Sequence, residues 1–147
     1  MEVSPVIGKY PAKLDDKNRL FVPAKLRAEL GDDFYVTLGV NCGRRCLIVY
    51  TAKDWELLGQ NYNALPISQR GAATSLIFMN ANQCNPDKQF RFGLTQFLLD
   101  YAGITRDVMI VGRAGQAEIW ASEEFNAFEA ENLTPEKLLA SLEAIGL

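Results

Sequence analysis

Two short segments of the chain place an aspartate four residues before an arginine, and both also contain a lysine. These segments are residues 15–19 (DDKNR) and 87–91 (DKQFR). An aspartate side chain can stabilise its own turn, while an arginine can grip a phosphate or the O6 and N7 atoms of guanine through two parallel hydrogen bonds. A single pair of this kind is most simply a surface ion pair, but its recurrence favours two similar basic turn tips that contact nucleic acid.

These segments belong to a longer internal repeat, in which residues 14–58 resemble residues 84–128. When the motif aspartates are aligned, apolar residues and glycines match through most of both copies. The further matched pairs are Leu20 with Phe92, Val22 with Leu94, Leu26 with Leu98, Gly31 with Gly103 and Trp55 with Phe125. The pattern predicts two copies of one small β-rich module, each too small to bury a sufficient hydrophobic core on its own.

The elements that must position the motif follow from turn, cap and strand signals in the first copy. In order, the predicted elements are a strand at 10–14, a turn at 15–18, a strand at 19–22, a helix at 23–30 stopped by Gly31, strands near 34–40 and 46–50, and a helix capped by Thr51 that runs through Leu58. Pro11 within the first strand favours a position at the edge of a sheet.

The second copy predicts the same order of elements. Its helix caps are Thr95 and Ser122, its first helix ends at Gly103, and its later strands lie near 107–112 and 117–120. A linker helix is predicted over 67–79, and a final helix begins at Thr134-Pro135. This last helix carries an apolar stripe typical of a packing or oligomer face, formed by Leu138, Leu139, Leu142 and Ile145.

Charge is unevenly distributed along the chain, although the formal net charge is only −3. Residues 1–117 carry 14 basic and 11 acidic side chains, whereas residues 118–147 carry one lysine and seven glutamates. Segment 9–27, around the first motif, holds six basic and two acidic side chains. A basic region suited to phosphates is therefore followed by an acidic tail that masks it in the overall charge.

The composition leaves little room for catalysis or metal binding. The chain has no histidine, which excludes Ser-His and Cys-His nucleophilic pairs and removes the commonest transition-metal ligand. Cys42, Cys46 and Cys84 contain no CxxC pair, so we expect reduced thiols rather than a disulfide framework or a zinc site. The acidic pairs Asp15/Asp16 and Glu123/Glu124 are sequence neighbours and do not resemble an acid/base pair. We expect no catalytic residue, no metal and no cofactor.

The chain also lacks the signals of a membrane or secreted protein. No apolar run approaches the roughly 20 residues that span a bilayer. Residues 1–8 lack the basic region and the long apolar stretch of a secretory signal. We therefore expect a cytoplasmic protein without a membrane partner.

Short motifs in both copies resemble those of MraZ proteins, and the resemblance covers about residues 7–128. The matching segments of the first copy are 8–10 (GKY), 14–20 (LDDKNRL) and 22–27 (VPAKLR). Those of the second copy are 87–91 (DKQFR), 101–103 (YAG) and 118–120 (EIW).

The resemblance implies an α+β fold built from a tandem pair of SpoVT-AbrB modules, which are swapped-hairpin, β-barrel-like units, with flanking helices. The implied divisions are module 1 at 9–55, a helical linker at 56–80, module 2 at 81–124 and an acidic C-terminal helical segment at 125–147. It further implies a nucleoid-associated transcriptional regulator that assembles into a homo-oligomeric ring. Such a regulator binds double-stranded DNA repeats near its own promoter, upstream of the division and cell-wall gene cluster.

The residues expected to bind DNA are Lys13, Lys17, Arg19, Lys88 and Arg91, and those expected to support the turns are Asp15, Asn18 and Asp87. The family usually has glycine before the motif arginine, where this chain has Asn18 and Phe90. Asparagine tolerates a left-handed backbone, whereas a bulky residue there is a conformational outlier. Residues 93–95 (GLT) also replace the FVP of residues 21–23. We therefore expect the first turn to dominate DNA binding.

Two other classes of function stay open at this point. A non-catalytic protein-interaction or scaffold module of the AbrB type would use the acidic tail and its apolar stripe, and would lack salt-dependent DNA affinity. A thiol sensor would use Cys42 and Cys46, and its DNA affinity would depend on oxidation.

Overall fold

The computed structural model describes residues 6–147, in which both copies contribute four strands in the predicted order. The strands of the first copy are β1 (Ile7–Lys13), β2 (Arg19–Phe21), β3 (Phe34–Asn41) and β4 (Arg44–Thr51). Those of the second are β5 (Asn82–Cys84), β6 (Arg91–Gly93), β7 (Asp107–Arg113) and β8 (Ala117–Ala121). The prediction about the start of the chain rests mostly on residues 1–5, which lie outside the described residues.

Helices follow the second and fourth strands of each copy. The helices after the second strands are α1 (Arg27–Leu30), entered through a 3-10 turn at Ala24–Leu26, and α4 (Gln96–Ala102). Those after the fourth strands are α2 (Ala52–Asn63) and α5 (Ser122–Asn132). The linker holds a 3-10 turn at Ile67–Gln69, the short α3 (Gly71–Ala73) and a π turn at Thr74–Phe78, and α6 (Pro135–Ile145) follows α5.

The three predicted threonine caps are confirmed. The hydroxyl oxygens of Thr51, Thr95 and Thr134 each accept a hydrogen bond from the backbone N–H three residues later. The predicted stops at Gly31 and Gly103 are confirmed as well, since both residues adopt positive φ at a helix end.

Two helix predictions were wrong. Ala121, which has no side-chain cap, precedes α5, so Ser122 already lies in the helix. The continuous helix predicted over 67–79 is broken into three short pieces. Its last piece is a π turn, in which the Met79 N–H bonds to the Thr74 carbonyl. The Thr37 hydroxyl of β3 donates to the neighbouring Ile77 carbonyl at 2.7 Å, and this bond ties the linker to the sheet.

The strands of both copies form one six-stranded antiparallel sheet in the order β1-β7-β8-β4-β3-β5. The first strand of each copy pairs with the third strand of the other copy, and β4 pairs with β8 at the centre. Pro11 lies in β1 at the edge of the sheet, as predicted. The remaining two strands, β2 and β6, pair with each other in a separate antiparallel ribbon. The two copies therefore share their strands instead of forming separate sheets.

A single main core cluster draws its residues from both copies. Leu20 of β2 and Phe92 of β6 lie side by side in the ribbon and point into this core. The Phe92 ring and the Phe34 ring of β3 pack edge to face, with the ring centroids 5.1 Å apart. The inner face of the ribbon is thus fixed by packing, which determines what its outer face presents to solvent.

Candidate nucleic-acid interface

The first motif forms a closed turn organised by the Asp15 carboxylate. Asp15 Oδ1 accepts the backbone N–H groups of Lys17 at 2.9 Å and Arg19 at 2.8 Å. Asp15 Oδ2 accepts the Arg19 Nε–H at 2.8 Å. The Asp15 N–H also donates to the Arg19 carbonyl across the turn. One aspartate therefore fixes both the backbone of the turn and the direction of the arginine side chain.

The second motif repeats this geometry bond for bond. Asp87 Oδ1 accepts the backbone N–H groups of Gln89 and Arg91, each at 2.9 Å. Asp87 Oδ2 accepts the Arg91 Nε–H, also at 2.9 Å. The Asp87 N–H donates to the Arg91 carbonyl, as in the first turn. The two turns are thus equivalent in backbone and in arginine orientation despite their different sequences.

The residue before each arginine adopts a left-handed backbone, the conformation that favours glycine. Its φ is 58° at Asn18 and 64° at Phe90. Each also accepts a backbone hydrogen bond from the other copy, from Leu94 to the Asn18 carbonyl and from Val22 to the Phe90 carbonyl. The second turn therefore keeps the geometry of the first, and Phe90 is held there in a conformation that is unusual for a bulky side chain.

Both motif arginines lie on the outer face of the β2–β6 ribbon. In its antiparallel register Arg19 lies opposite Gly93, and Phe21 lies opposite Arg91. Leu20 and Phe92 point inward, so alternation along the strands turns Arg19, Phe21 and Arg91 outward. The structure thus brings two arginines from distant parts of the chain together on one narrow ribbon with an Asp-held turn at each end.

The arginines keep hydrogen-bonding capacity for a ligand. Each uses Nε to bind its aspartate, and within residues 6–147 no acceptor is bonded to the terminal nitrogens of either guanidinium. Both side chains are partly exposed. A guanidinium anchored through Nε can present its other edge to a phosphate or to guanine in a defined orientation.

The turn aspartates are held in their charged form. At Asp15 desolvation opposes ionisation, but the backbone N–H of Arg19, the N–H of Lys17 and the Arg19 guanidinium together lower the pKa of the carboxyl. At Asp87 the backbone N–H of Arg91 contributes most, and the pKa of that carboxyl is lowered as well. Hydrogen bonds to the charged form thus keep both turns closed at neutral pH.

The predicted lysines occupy different places. Lys17 and Lys88 are both exposed at the turns, but they are not equivalent: Lys17 corresponds to Gln89, and Lys88 corresponds to Asp16. Lys13 is exposed at the end of β1, opposite Asp107 of β7. Lys13 also lines an open groove of about 650 Å³ beside the ribbon, together with Lys9, Lys25 and Phe21.

One residue at the second turn was missed by the sequence reasoning. The Arg27 guanidinium lies over the Phe90 ring, with its carbon 3.9 Å from the ring centroid. Arg27 belongs to the first copy and Phe90 to the second. The bulky residue at a left-handed position is the sequence signal that marks Phe90. Arg27 could not be identified as its partner, because the two residues meet only through the pairing of β2 with β6.

Glu118, in the segment that resembles the family motif EIW, has a structural place. Its carboxylate is buried and accepts hydrogen bonds from the Trp120 indole and from Arg113, each at 3.0 Å. It lies in the sheet, away from the two turns. This segment therefore anchors β7 to β8 instead of extending the outer face of the ribbon.

The cysteines do not form a common site. Cys42 is exposed in the β3–β4 turn, whereas Cys46 and Cys84 are buried. Burial raises the pKa of Cys46 to about 12, helped by the nearby Glu118 carboxylate, and burial also raises the pKa of Cys84 to about 12. Cys46 is thus a protonated, enclosed thiol, which argues against a sensor built on Cys42 and Cys46. Within residues 6–147 no cluster of three or more histidine, cysteine, aspartate or glutamate side chains could hold a metal ion.

The exposed helix α6 carries the predicted apolar stripe. Leu138, Leu139, Leu142 and Ile145 are all exposed in the single chain.

No helix in the described part of the chain is long and apolar enough to cross a membrane.

Comparison with known proteins agrees with the internal repeat. The family model described as "MraZ protein" matches the chain twice, over residues 6–76 and 77–140. "Transcriptional regulator MraZ" of Halothermothrix orenii is 33% identical over 144 residues, which cover 96% of this chain and 99% of that protein. The protein of the same name from Caldicellulosiruptor bescii is 34% identical over 97% of this chain and 99% of its own length. A third, from Carboxydothermus hydrogenoformans, is 37% identical over 83% and 85%. With both repeats matched and relatives aligned over nearly their whole length, this chain belongs to the MraZ family.

Proposed function

We propose that this protein is a sequence-specific DNA-binding transcriptional regulator. In this proposal it acts on repeats upstream of the division and cell-wall gene cluster, including its own gene. The observation that carries the proposal is the pair of equivalent Asp-held arginines on the outer face of the β2–β6 ribbon. A two-stranded ribbon fits the major groove, where arginine recognises guanine, while lysines beside it bind phosphates.

The DNA-binding residues in this proposal are Lys13, Lys17, Arg19, Lys88 and Arg91, with Asp15, Asn18 and Asp87 supporting the turns. Residues 9–55 and 81–124 would be two SpoVT-AbrB modules, separated by the linker at 56–80 and followed by the segment at 125–147. The exchange of first strands between the copies supports the swapped-hairpin arrangement of such modules. Because the strands are shared, the two modules would present their turns as one rigid unit.

We further infer that the protein acts as a homo-oligomer, a ring whose copies engage several DNA repeats at once. The few contacts of one ribbon give modest affinity, and linking copies raises it through effective concentration. The exposed apolar stripe of α6 would serve as contact surface between copies. Such a regulator would work in the cytoplasm, on the nucleoid, without enzymatic activity and without a cofactor.

The proposal is tested by DNA affinity measured at several salt concentrations. Fluorescence anisotropy would use a labelled duplex from directly upstream of the protein's own gene, and a scrambled duplex of equal length as control. We expect tighter binding to the upstream duplex and a logarithmic affinity that falls linearly with the logarithm of salt concentration. Equal, salt-independent affinity for both duplexes would reject DNA regulation and favour a protein-interaction module.

A further inference from the structure

The surroundings of each turn are built by the opposite copy. Because β2 pairs with β6, the segment after each ribbon strand reaches the turn of the other copy. At the first turn the Asn18 side chain donates to Gln96 of α4 at 3.2 Å. At the second turn Arg27 of α1 lies over Phe90. A neutral side chain therefore flanks the first turn, and a cation flanks the second.

This exchange changes the charge at the two ends of the ribbon. The charged residues of the first turn are Asp15, Asp16, Lys17 and Arg19, which balance to zero. Those of the second turn with its stacked neighbour are Asp87, Lys88, Arg91 and Arg27, which balance to +2. The basic residues near the first motif in sequence thus do not all lie at the first turn in space.

Two contacts hold the Arg27 guanidinium in place. Its Nε–H donates to the Val22 carbonyl at 3.1 Å, and its plane is supported by the Phe90 ring. Within residues 6–147 its terminal nitrogens bond no acceptor. An arginine held at Nε and stacked on an aromatic face loses little further freedom when it binds a phosphate, because the guanidinium is already ordered.

The contact with Arg27 offers an explanation for a bulky residue at the left-handed position of the second turn. A bulky residue is disfavoured at a φ of 64°, and this ring remains 44% exposed instead of packing in the core. Its close neighbour in the structure is the Arg27 guanidinium. The ring therefore supports the Arg27 guanidinium and contributes little to the hydrophobic core.

We propose that the second turn is the stronger DNA-binding end of the ribbon, with Arg27 as a phosphate-binding residue positioned by the Phe90 ring. This inference rests on the DNA-binding function proposed above. It reverses the order of the two turns expected from the sequence, in which Arg27 lies within the basic segment 9–27 around the first motif.

The experiment compares variants on the same upstream duplex at several salt concentrations. Arg27→Gln should weaken binding about tenfold, the effect of one charge-assisted hydrogen bond, and should reduce the salt slope by about one unit. Phe90→Asn, which copies the first turn, should weaken binding without removing a charge. The double variant Arg27→Gln/Phe90→Asn should show a smaller fold-loss of DNA affinity than the product of the two single fold-losses, because both substitutions act through one contact. Lys53→Gln, at an exposed lysine on α2, is the matched control for loss of one charge.

The two turns are then compared directly. Lys88→Ala/Arg91→Ala should weaken binding more than Lys17→Ala/Arg19→Ala does. Equal losses, or a larger loss from the first turn, would overturn the inference, as would an Arg27→Gln variant that binds like Lys53→Gln. Melting curves identify a variant that fails to fold. If Arg27→Gln fails to fold, Arg27→Lys replaces it, because lysine keeps the charge but cannot stack as a planar group on Phe90. Arg27→Lys should still bind DNA more weakly than wild type. If the wild-type protein itself shows no salt-dependent DNA binding, the proposed function fails, and not merely this assignment.

Discussion

At the scale of single residues, Arg19 distinguishes a DNA contact from a surface ion pair. Arg19→Ala removes a partly exposed ion pair with Asp15, and such solvent-screened pairs contribute little to the stability of a fold. The same change removes two outward hydrogen-bond donors, so we expect DNA affinity to fall by at least about tenfold. Anisotropy titration and thermal melting of one preparation check both effects.

The opposite outcome has an equally clear meaning. A melting temperature lowered by many degrees, together with unchanged affinity, would identify Arg19 as a structural residue of the turn. Arg91→Ala is the matched variant, because Arg91 makes the same bonds with Asp87.

The turn aspartates also predict how stability depends on pH. The pKa values of Asp15 and Asp87 are lowered below their ordinary value of 3.8 by backbone N–H groups and arginine. A carboxyl with a lowered pKa in the folded state adds stability above its unfolded pKa and loses it as the pH falls through the folded value. We therefore expect the melting temperature to decrease as the pH is lowered below about 4.

The control for this dependence is the variant Asp15→Asn/Asp87→Asn. It lacks both titrating groups and should be less stable than wild type at neutral pH. The difference in melting temperature between the two proteins should narrow as the pH falls below about 4. A difference that stays constant down to pH 2.5 would contradict the role assigned to the carboxylates.

At the scale of elements, most strands and caps follow from local sequence, but their partners do not. The turn at 15–18, the Thr51 and Thr95 caps and the glycine stops depend on neighbouring residues, and all are visible as residue types at fixed spacing. The pairing of β1 with β7 and of β2 with β6 joins segments far apart in the chain, and no local spacing encodes it. The position of Arg27 at the second turn was inaccessible for the same reason.

The β1–β7 pair depends on a glycine. A Cβ built on Gly112 would lie 2.5 Å from the backbone nitrogen of Ile7 and 2.6 Å from the Val6 carbonyl carbon. These are backbone atoms, so the strand itself would have to shift. We expect Gly112→Ala to destabilise the fold by about 1–3 kcal/mol, measured by denaturant unfolding.

Gly59 of α2 is the matched control for Gly112. A Cβ there meets nothing within 4 Å, and alanine favours a helix over glycine. Gly59→Ala should therefore stabilise the protein by about 0.5–1 kcal/mol. Equal effects of the two substitutions would contradict the close approach of β1 to β7.

At the scale of the whole molecule, the exposed stripe of α6 predicts self-association. Leu139→Glu/Ile145→Glu places charges on this stripe, where both side chains are exposed. We expect light scattering to show a smaller species than wild type and anisotropy to show weaker binding to a duplex with several repeats. Binding to a single-repeat duplex should change little. A wild-type protein that is strictly monomeric at micromolar concentration would contradict homo-oligomerisation.

The exchange of first strands also sets a time order for folding during synthesis. The partner of β1 is β7, which ends at Arg113, so about 100 residues separate the completion of the two strands. At about 5–20 residues per second the ribosome needs roughly 5–20 s to supply that partner. During this interval the edge of β1 that pairs with β7, and the apolar residues that pack against the second copy, lack their native partners. The nascent chain is therefore exposed to aggregation and chaperone binding until its second half emerges.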